Sequence, residues 1–324
     1  MRGMARSLAL LLGKEPTKPD PARITKKATA FHADMSRKRD KEAMKKFMVL
    51  RHEVAAGPKK WRRVRWSVLI LVNVLFILSY RVDLQLMEGA LTGSRFAGFH
   101  LADLNAALQV MLAYKQVLVN LLIGIVTVFM IWWLLGGRTF CSWICPYYLL
   151  AEWGEILHNK LVRKGWAKNH KLDRRLRTVL WLVFAGLAFV TGYTVYETIS
   201  PTGIVSRALI YGPGLAMIWV LALLALEVFF SKRAWCRYCC PIGLTYGLVG
   251  ATSPLKVVHD LTKCHHDGAC RAVCLVPHVL DFTRKGRAMA MKSETGADCT
   301  RCARCIETCP TNALQFKFKG LDKI

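Results

Sequence analysis

The chain of 324 residues has few acidic side chains, and the fraction of its residues that are charged is low. It has 21 Asp and Glu against 47 Lys and Arg, and only 21% of its residues are charged. It also contains no Cys-x-x-Cys-His segment, no Walker A loop and no Gly-x-Gly-x-x-Gly fingerprint. These absences exclude covalently attached c-type haem and leave the chain without a nucleotide or dinucleotide site of its own. A hydrophobic content of 53% excludes intrinsic disorder and disfavours a soluble nucleic-acid-binding protein.

A chain can be both apolar and strongly basic when a bilayer separates the two kinds of residue. Four stretches are apolar over about 17–20 residues, the length that crosses a hydrocarbon core. They run over Val64–Tyr80, Val117–Leu135, Thr178–Val195 and Leu215–Ser231. The sequence therefore predicts an α-helical membrane protein with four transmembrane helices in two hairpins, in preference to the buried helices of a large soluble core.

The positions of the basic residues predict the orientation in the membrane. Only Arg81, Arg95, Lys115 and Arg207 fall in the loops inside the two hairpins. All other Lys and Arg residues lie in the N-terminal arm, in the middle loop or after the fourth apolar stretch. The positive-inside rule then places both termini, the middle loop and with them the cysteine clusters on the cytoplasmic side of the membrane.

Residues 1–60 are predicted to be a basic cytoplasmic arm. Leu8–Leu12 is too short for the apolar core of a secretory signal, and no small-residue cleavage site follows it. The charged segment Phe31–Ala56 is expected to form a helix near the anionic leaflet, held there by about 1 kcal/mol per basic residue. Membrane contact accounts for the positive charge, so no nucleic-acid partner is expected.

The strongest motif is a cysteine run near the C-terminus. Cys299, Cys302, Cys305 and Cys309 have the spacing C-x2-C-x2-C-x3-C, with a proline directly after the last. In bacterial two-cluster ferredoxins, the first three thiolates of such a run bind one cluster and the fourth binds the other. Zinc sites usually show two separate Cys-x-x-Cys pairs, so the unbroken run favours iron–sulfur clusters. Residues 252–324 are therefore predicted to form a small α+β ferredoxin domain.

The segments around the run fit such a domain. Leu255–Asp260 and Leu314–Lys319 alternate as its terminal strands would, and Arg287–Lys292 is a candidate for a further strand. Short helices are expected after each cluster loop, at Cys274–Phe282 and Cys309–Leu314. A domain of this size depends on its clusters for much of its stability.

An incomplete copy of the cysteine run lies upstream. Overlaying the two copies matches Cys264, Cys270 and Cys274 to ligand positions one, three and four, and puts Asp267 at position two. Crossed ligation then predicts two iron–sulfur clusters. One is a 4Fe–4S cluster on Cys274 and the first three cysteines of the downstream run. The other is a 4Fe–4S or 3Fe–4S cluster on Cys264, Cys270 and Cys309.

The sequence allows several alternatives for the fourth ligand of the second cluster. Asp267 is either an oxygen ligand, harder and more labile than thiolate, or it lines the loop beside a three-iron cluster. His265 or His266 is a further alternative as the ligand.

Two further cysteine pairs share a different motif, Cys-x3-Cys-Pro. Cys141 and Cys145 follow the second apolar stretch, and Cys236 and Cys240 follow the fourth, which indicates an internal duplication. If each pair is helical, its two thiols share one face. Four thiols from two related hairpins are then candidates to bind a metal or to form exchangeable disulfides. The alternative is that they are only buried packing residues, and Cys239 is a spare thiol that makes the second motif ambiguous.

This combination over residues 60–324 resembles the NapH/MauN group of ferredoxin-type membrane proteins. The segment Pro277-His278-Val279-Leu280 is similar to that group's usual continuation after the first cluster. The resemblance implies electron transfer from the membrane quinol pool towards a periplasmic redox system. It implies as partner a periplasmic multihaem cytochrome or a second ferredoxin. The seven cluster cysteines and the four Cys-x3-Cys-Pro cysteines carry over directly. Asp267, where the group has cysteine, and Leu275, where it has proline, depart from the pattern.

Quinol oxidation requires proton acceptors near the membrane interface. Glu197 and Glu227 are candidates for such catalytic residues, as is His100 in the first outer loop beside Asp103. Glu227 falls inside the fourth apolar stretch, where an ionisable residue is a functional candidate by default. Alternatively, Glu227 pairs with one of the basic residues that follow that stretch.

Two other functions compete with electron transfer from quinol. Four soft thiols suit Cu(I), so the chain is alternatively a copper-binding or copper-reducing assembly protein. The related CcoG-type proteins share the hairpins and clusters, but they carry a further C-terminal domain. The third hypothesis is a structural anchor for a larger redox complex.

Overall fold

The computed structural model describes residues 2–34, 41–82, 87–96, 99–117 and 119–319, and the fold is mostly helical. The helices are α1 (Arg2–Leu11), α2 (Lys26–Ala33), α3 (Lys41–Ala56), α4 (Lys60–Arg81), α5 (Leu104–Tyr114), α6 (Val119–Leu135), α7 (Thr139–Trp143), α8 (Pro146–Arg163), α9 (Arg175–Thr191), α10 (Val195–Ile199), α11 (Pro201–Tyr211), α12 (Ala216–Phe229), α13 (Pro241–Gly250), α14 (Ala269–Ala272) and α15 (Arg304–Glu307).

Two small antiparallel sheets accompany the helices. Their strands are β1 (Met87–Ala90), β2 (Gly93–Phe96), β3 (Phe99–Ala102), β4 (Leu255–Asp260), β5 (Lys292–Glu294) and β6 (Leu314–Phe318). The first sheet has the order β1-β2-β3, and the second has the order β5-β4-β6.

The predicted membrane spans correspond to helices of unequal length. Among the described residues, one stretch, Met44–Arg81, is both long and apolar enough to cross a membrane. The helices over the second, third and fourth predicted spans, α6, α9 and α12, have 17, 17 and 14 residues. A full crossing takes about 20 residues. The four-span arrangement therefore stays a prediction.

The outer surface of these four helices is apolar. Leu71 on α4, Ile123 on α6, Leu182 on α9 and Leu221 on α12 are each more than half exposed. Large contiguous apolar surfaces of this kind are rare on soluble monomers and mark contacts with a membrane or with another protein.

The loops inside the two predicted hairpins fold back onto the helical domain. In the first loop, α5 packs against α9 and α13; in the second, α11 packs against α8 and α12. Asp103 caps α5 because its Oδ2 accepts the backbone N–H groups of Asn105 and Ala106, each at 3.0 Å. Its Oδ1 accepts the hydroxyl of Tyr246 on α13 at 2.7 Å. Residues predicted in an outer loop thus reach the helix that follows the second Cys-x3-Cys-Pro motif.

The C-terminal domain has the strands that the alternating segments predict. β4 covers Leu255–Asp260, and β6 covers Leu314–Phe318, pairing Val257 with Phe316. The third strand, β5, begins where the predicted Arg287–Lys292 strand ends.

One of the two predicted short helices in this domain has a counterpart. A 3-10 helix at Pro277–Thr283 overlaps the predicted Cys274–Phe282 helix, whereas the predicted Cys309–Leu314 helix is wrong, because a turn and the start of β6 occupy that segment. Two further short helices, α14 and α15, precede the fourth cysteine of each run. Each begins directly after a residue in the left-handed conformation, Gly268 with φ +83° and Ala303 with φ +60°. The helix therefore starts early enough to include the third cysteine, Cys270 or Cys305.

The N-terminal arm packs on the rest of the chain. Leu11 is fully buried against Leu244 of α13 and Ala297 of the C-terminal domain. Farther along, Ala28 of α2 is fully buried against Leu261 and Ala288. Part of the predicted basic arm is thus a structural element that joins the helical domain and the C-terminal domain.

Candidate iron–sulfur centres

The two Cys-x3-Cys-Pro motifs adopt matching backbone conformations. The first cysteine of each lies in a short helical turn, Thr139–Trp143 or Trp235–Cys239. The second cysteine is extended, with φ/ψ of −63°/116° at Cys145 and −67°/111° at Cys240. Each then precedes a helix that begins with proline, whose fixed φ and missing N–H suit the first helical position. The matching geometry of the two motifs supports the predicted internal duplication.

All four thiols of these motifs line one small cavity. The cavity is bounded by Cys141 and Cys145 from one hairpin and by Cys236 and Cys240 from the other. Its remaining surface is almost wholly apolar, with Arg138 as the one cation in the lining. Cys239 is absent from this lining, which resolves the ambiguity of the second motif.

The folded-back loop of the second predicted hairpin approaches the cavity on one side. Thr202 on α11 places its Oγ1 3.2 Å from Cys145 Sγ. Tyr196 on α10 places its hydroxyl 3.7 Å from Cys240 Sγ. This loop therefore supplies a polar group to one thiol of each motif.

The side chain of Arg138 brings a buried positive charge to the same cavity. It is only 1% exposed, and its charge acts on the Cys141 and Cys240 thiols. Gly243 permits this approach, because a Cβ at that position would lie 2.9 Å from Arg138 Nη2. Arg138 Nε has no hydrogen-bond partner among the described residues.

The donor set of this cavity fits an iron–sulfur cluster. Burial raises the pKa of the Cys141 thiol to about 11 and that of Cys145 to about 12, so these thiols ionise only with a cationic partner such as a metal. Four thiolates in an apolar shell with a nearby cation match the ligands of a polynuclear cluster.

The ligands predicted for the first ferredoxin cluster lie together. Cys299, Cys302 and Cys305 are each 7% exposed, and Cys274 interacts electrostatically with Cys299 and Cys302. Ala303 and Arg301 both have positive φ, which turns the loop sharply between the cysteines.

The upstream copy repeats that loop conformation. His266 and Gly268 have positive φ at the positions equivalent to Arg301 and Ala303. Asp267 therefore occupies the same place in its loop as Cys302 does downstream. The overlay made from the sequence corresponds to a backbone repeat.

The ligands predicted for the second cluster line a separate cavity. Its walls include Cys264, Cys270, Cys309 and Asp267, together with His265. His266 does not line this cavity; its Nδ1 lies 2.9 Å from the carbonyl oxygen of Thr283. Asp267 and His265 thus line the cavity with the three cysteines, and both a fourth ligand and a three-iron cluster without one stay predictions.

The arm covers the second cluster cavity. Phe47 on α3 stacks on His265, with ring centroids 4.4 Å apart, and is itself buried. Arg51, one turn farther on, lies 4.0 Å from Asp267 Oδ2.

One residue connects the four-thiol cavity with the ferredoxin domain. Leu275 is buried and lines the cavity of the Cys-x3-Cys-Pro thiols. It directly follows Cys274, a predicted ligand of the first ferredoxin cluster. The departure from proline at this position thus falls at the boundary between the two sites.

A buried charge network around Asp298 also connects the four-thiol cavity with the ferredoxin domain. Asp298, which precedes Cys299, pairs with Arg138 and with Arg177, whose Nη1 is 3.0 Å away. His278 Nε2 lies 2.8 Å from Asp298 Oδ2. Burial alone would raise the pKa of Asp298, but the two arginines outweigh it and keep this carboxylate ionised.

A second network ties the cluster loop to α4 and α8. Arg65 donates to the carbonyl oxygen of Cys302 at 2.8 Å and to Glu152 at 2.6 Å. Glu155 Oε2 lies 2.8 Å from Arg233 Nε and 2.7 Å from Arg304 Nη1. The ferredoxin domain is thereby docked on the helical domain through the fully buried Arg65 and Arg233 and the mostly buried Arg304.

The three catalytic candidates have different surroundings. Glu227 is fully buried and accepts the backbone N–H of Trp235 at 2.9 Å, while the ion pairs of Arg233 go to Glu152 and Glu155. The ion pairs of the described residues do not join Glu227 to Lys232 or Arg233, because α8 supplies the partners of Arg233, so that pairing stays a prediction. Glu227 supports the turn that carries Cys236.

Glu197 lies in α10, beside the folded-back loops. Its Oε1 is buried without a partner among the described residues. Burial, together with the nearby Asp103, raises the pKa of Glu197 to about 7. His100 lies in β3 opposite Arg95, and its side chain is outside the described part of the structure.

Comparison with known proteins decides the family. The profile of a 4Fe-4S binding domain matches residues 118–165 and 213–257, the segments that contain the two Cys-x3-Cys-Pro motifs. The methylamine utilization ferredoxin-type protein MauN of Paracoccus denitrificans is 34% identical over 245 residues, covering 73% of this chain and 85% of the relative. The chain belongs to the MauN and NapH ferredoxin-type proteins.

Other members of the family show similar coverage. MauN of Methylorubrum extorquens is 30% identical over 81% of this chain and 90% of its own length. The ferredoxin-type protein NapH of Escherichia coli is 28% identical over 77% of this chain and 88% of its own length. No solved structure matches the chain.

Sequence reasoning missed the buried arginines around the four-thiol cavity. A signal for them exists, since Arg138 precedes Cys141 and Arg233 precedes Cys236 by the same three residues. The repeated motif is therefore Arg-x2-Cys-x3-Cys-Pro. Arg138 and Arg233 belong to the two buried networks described above, together with Arg65, Arg177 and Arg304.

Proposed function

We propose that this protein is a membrane-bound iron–sulfur electron-transfer protein that passes electrons from quinol towards a periplasmic redox partner. We further propose that Cys141, Cys145, Cys236 and Cys240 hold a third centre besides the two ferredoxin clusters. The observation that carries this is the shared cavity: four thiols from two hairpins line it, and Leu275 separates it from Cys274.

Bound iron–sulfur clusters accept and donate single electrons at potentials set by ligands, charge and exposure. The residues of this chain arrange where that chemistry takes place. Arg138 holds a permanent positive charge against Cys141 and Cys240, which favours the ionised thiols and any added electron. Asp298, paired with Arg138, fixes the loop that begins with Cys299. The apolar lining of the cavity excludes water from the thiols.

The proposed location is the bacterial inner membrane, with both termini and both ferredoxin clusters on the cytoplasmic side. The apolar outer surfaces of α4, α6, α9 and α12 support four membrane-inserted helices. The short lengths of α6 and α12 are compatible with this, because α5 and α11 pack beside them and extend the apolar layer. The concentration of Lys and Arg outside the two hairpin loops supports the orientation.

Membrane vesicles that contain the full chain test this function. Quinol is added anaerobically, and reduction of the clusters is followed by visible absorbance and EPR. We expect reduction in the wild type and a missing EPR component when both Cys141 and Cys240 are replaced by serine. Cys239→Ser is the matched control, because its thiol does not line the cavity.

The competing functions give different results in the same vesicles. Stoichiometric copper that disappears in the Cys141→Ser and Cys240→Ser variant, with no response to quinol, would replace this proposal by copper handling. Normal partner reduction after replacement of Cys299 and Cys302 would leave the protein as a structural anchor.

A further inference from the structure

The largest cavity among those described lies apart from all the cysteines, between three parts of the chain. It has a volume of about 720 Å³, within the range of sites for small organic molecules. Helix α1 forms one wall through Met4 and Leu10, the chain after α13 forms a second through Thr252, and the ferredoxin domain forms the third. The cavity therefore exists only because the arm is docked.

The cavity lies at the end of the predicted second membrane span. Trp133, two residues before the end of α6, donates its indole N–H to Thr252 Oγ1 at 3.1 Å. Tryptophan at a span end is typical of the headgroup layer. A ligand with an apolar tail in the bilayer can therefore place its head group in this cavity.

The wall nearest the first ferredoxin cluster carries a histidine–carboxylate pair. His278 and Asp298 both line the cavity, and Asp298 is adjacent to the predicted cluster ligand Cys299. His278 Nε2 lies 2.8 Å from Asp298 Oδ2, which orients the ring. The other ring nitrogen, Nδ1, has no partner among the described residues, and burial lowers the pKa of His278, so the neutral ring offers an acceptor.

The part of the wall beside His278 disfavours an anionic head group. The lining as a whole carries both signs of charge, with the cations Arg6, Lys256, Arg287, Lys292 and Lys319 and the carboxylates Asp281, Glu294 and Asp298. A phosphate near His278 would have to lie beside the carboxylate of Asp298, whose cationic partners Arg138 and Arg177 are buried behind it. A neutral ring that donates a hydroxyl avoids that repulsion.

We infer that this cavity binds the head group of a quinol, with His278 Nδ1 accepting a hydrogen bond from one ring hydroxyl. The apolar side chains of Met4 and Leu10 on α1 cover the ring and direct its tail towards the end of α6. This inference rests on the proposed function, because it locates the quinol that the function requires. It moves the site from Glu197, Glu227 and His100 to the cytoplasmic side of the predicted spans.

Equilibrium binding of decylubiquinone to the purified full chain in detergent tests the inference. Two variants probe the site independently: His278→Gln removes the acceptor geometry, and Ala290→Trp fills the cavity without changing the His278–Asp298 pair. We expect each to weaken binding at least tenfold. His158→Gln is the matched control, since His158 is a fully buried histidine on α8, outside every cavity described. Cluster absorbance before and after dithionite shows that each variant is folded and loaded.

Wild-type affinity in both His278→Gln and Ala290→Trp would overturn the inference. Displacement of the probe by short-chain phosphatidylglycerol at equal concentration would also overturn it and assign the cavity to an anionic lipid. If quinol reduces the clusters equally in wild type and His278→Gln, the proposed function holds and only the location fails. If the probe binds at this cavity but quinol never reduces wild-type clusters, the proposed function fails instead.

Discussion

The docking of the ferredoxin domain on the helical domain depends on the carboxylate of Glu155, and its removal should be measurable. This side chain is buried between Arg233 and Arg304. Burial alone would raise the pKa of Glu155, but the two cations outweigh it and lower the pKa from the ordinary 4.5 to about 2. At about 1.4 kcal/mol per unit, ionisation of Glu155 contributes about 3 kcal/mol to folding at neutral pH.

The sign of this contribution fixes its pH dependence. The folded-state pKa lies below the unfolded-state value, so the stabilisation is fully present above pH 4.5 and is lost as the pH falls towards 2. Glu155→Gln removes it and leaves two buried cations with less compensation, a change that costs about 3–5 kcal/mol in other proteins. Because Glu152 also lies 3.6 Å from Arg233, we expect the lower end of that range.

Thermal unfolding of the purified protein, followed by cluster absorbance, measures this effect. At about 2 °C per kcal/mol for a large domain, Glu155→Gln should lower the midpoint by about 6 °C. The gap between variant and wild type should be the same at pH 6 and pH 8. Glu53→Gln, at an exposed position on α3, should change the midpoint by less than about 1 °C. An equal midpoint for Glu155→Gln and wild type, or a gap that changes between pH 6 and pH 8, would refute the reasoning.

Three further predictions address the other parts of the molecule. Asp267→Cys should complete the second ligand set with a thiolate, give about four irons in that cluster and abolish any three-iron EPR signal, whereas a three-iron signal that persists in the variant would show that position 267 does not ligate. Arg138→Gln should make the four-thiol centre at least tenfold harder to reduce, a shift of about 59 mV for one electron in an EPR-monitored titration, while Arg138→Lys should retain most of the potential. Leu11→Ala should cost about 2–5 kcal/mol of local packing and speed tryptic cleavage of the arm without loss of iron; wild-type cleavage rates would show that the arm is not docked through this residue.

The local chemistry of the cysteines could be predicted from the sequence, because ligand spacing is a local property. The spacing of Cys299, Cys302, Cys305 and Cys309 predicted one loop, and the overlay placed Asp267 in the other. The repetition of Cys-x3-Cys-Pro predicted a duplication that the backbone conformations of Cys145 and Cys240 support. The alternation of Leu255–Asp260 predicted a strand with those bounds.

The relations between distant segments could not be predicted in this way. That the four motif thiols share a cavity depends on the packing of two hairpins, which no spacing encodes. The folding-back of α5 and α11 was missed because both helices are short and lie in segments that were predicted to be loops between membrane spans. The roles of Arg138 and Arg177 were missed because a cation that pairs with Asp298 is indistinguishable in sequence from one that faces the cytoplasm. The docking of Leu11 was missed because residues 1–60 were predicted to be a basic cytoplasmic arm.

Quantitative iron analysis with Mössbauer spectroscopy of the anaerobically purified chain tests the central claim, a third iron–sulfur centre on the four motif thiols. The comparison is between wild type, Cys239→Ser, and a variant with Cys141, Cys145, Cys236 and Cys240 all replaced by serine. We predict that the fourfold variant loses about four irons per chain, with the signals of both ferredoxin clusters intact, and that Cys239→Ser loses none. Equal iron content and identical spectra in all three proteins would contradict the account.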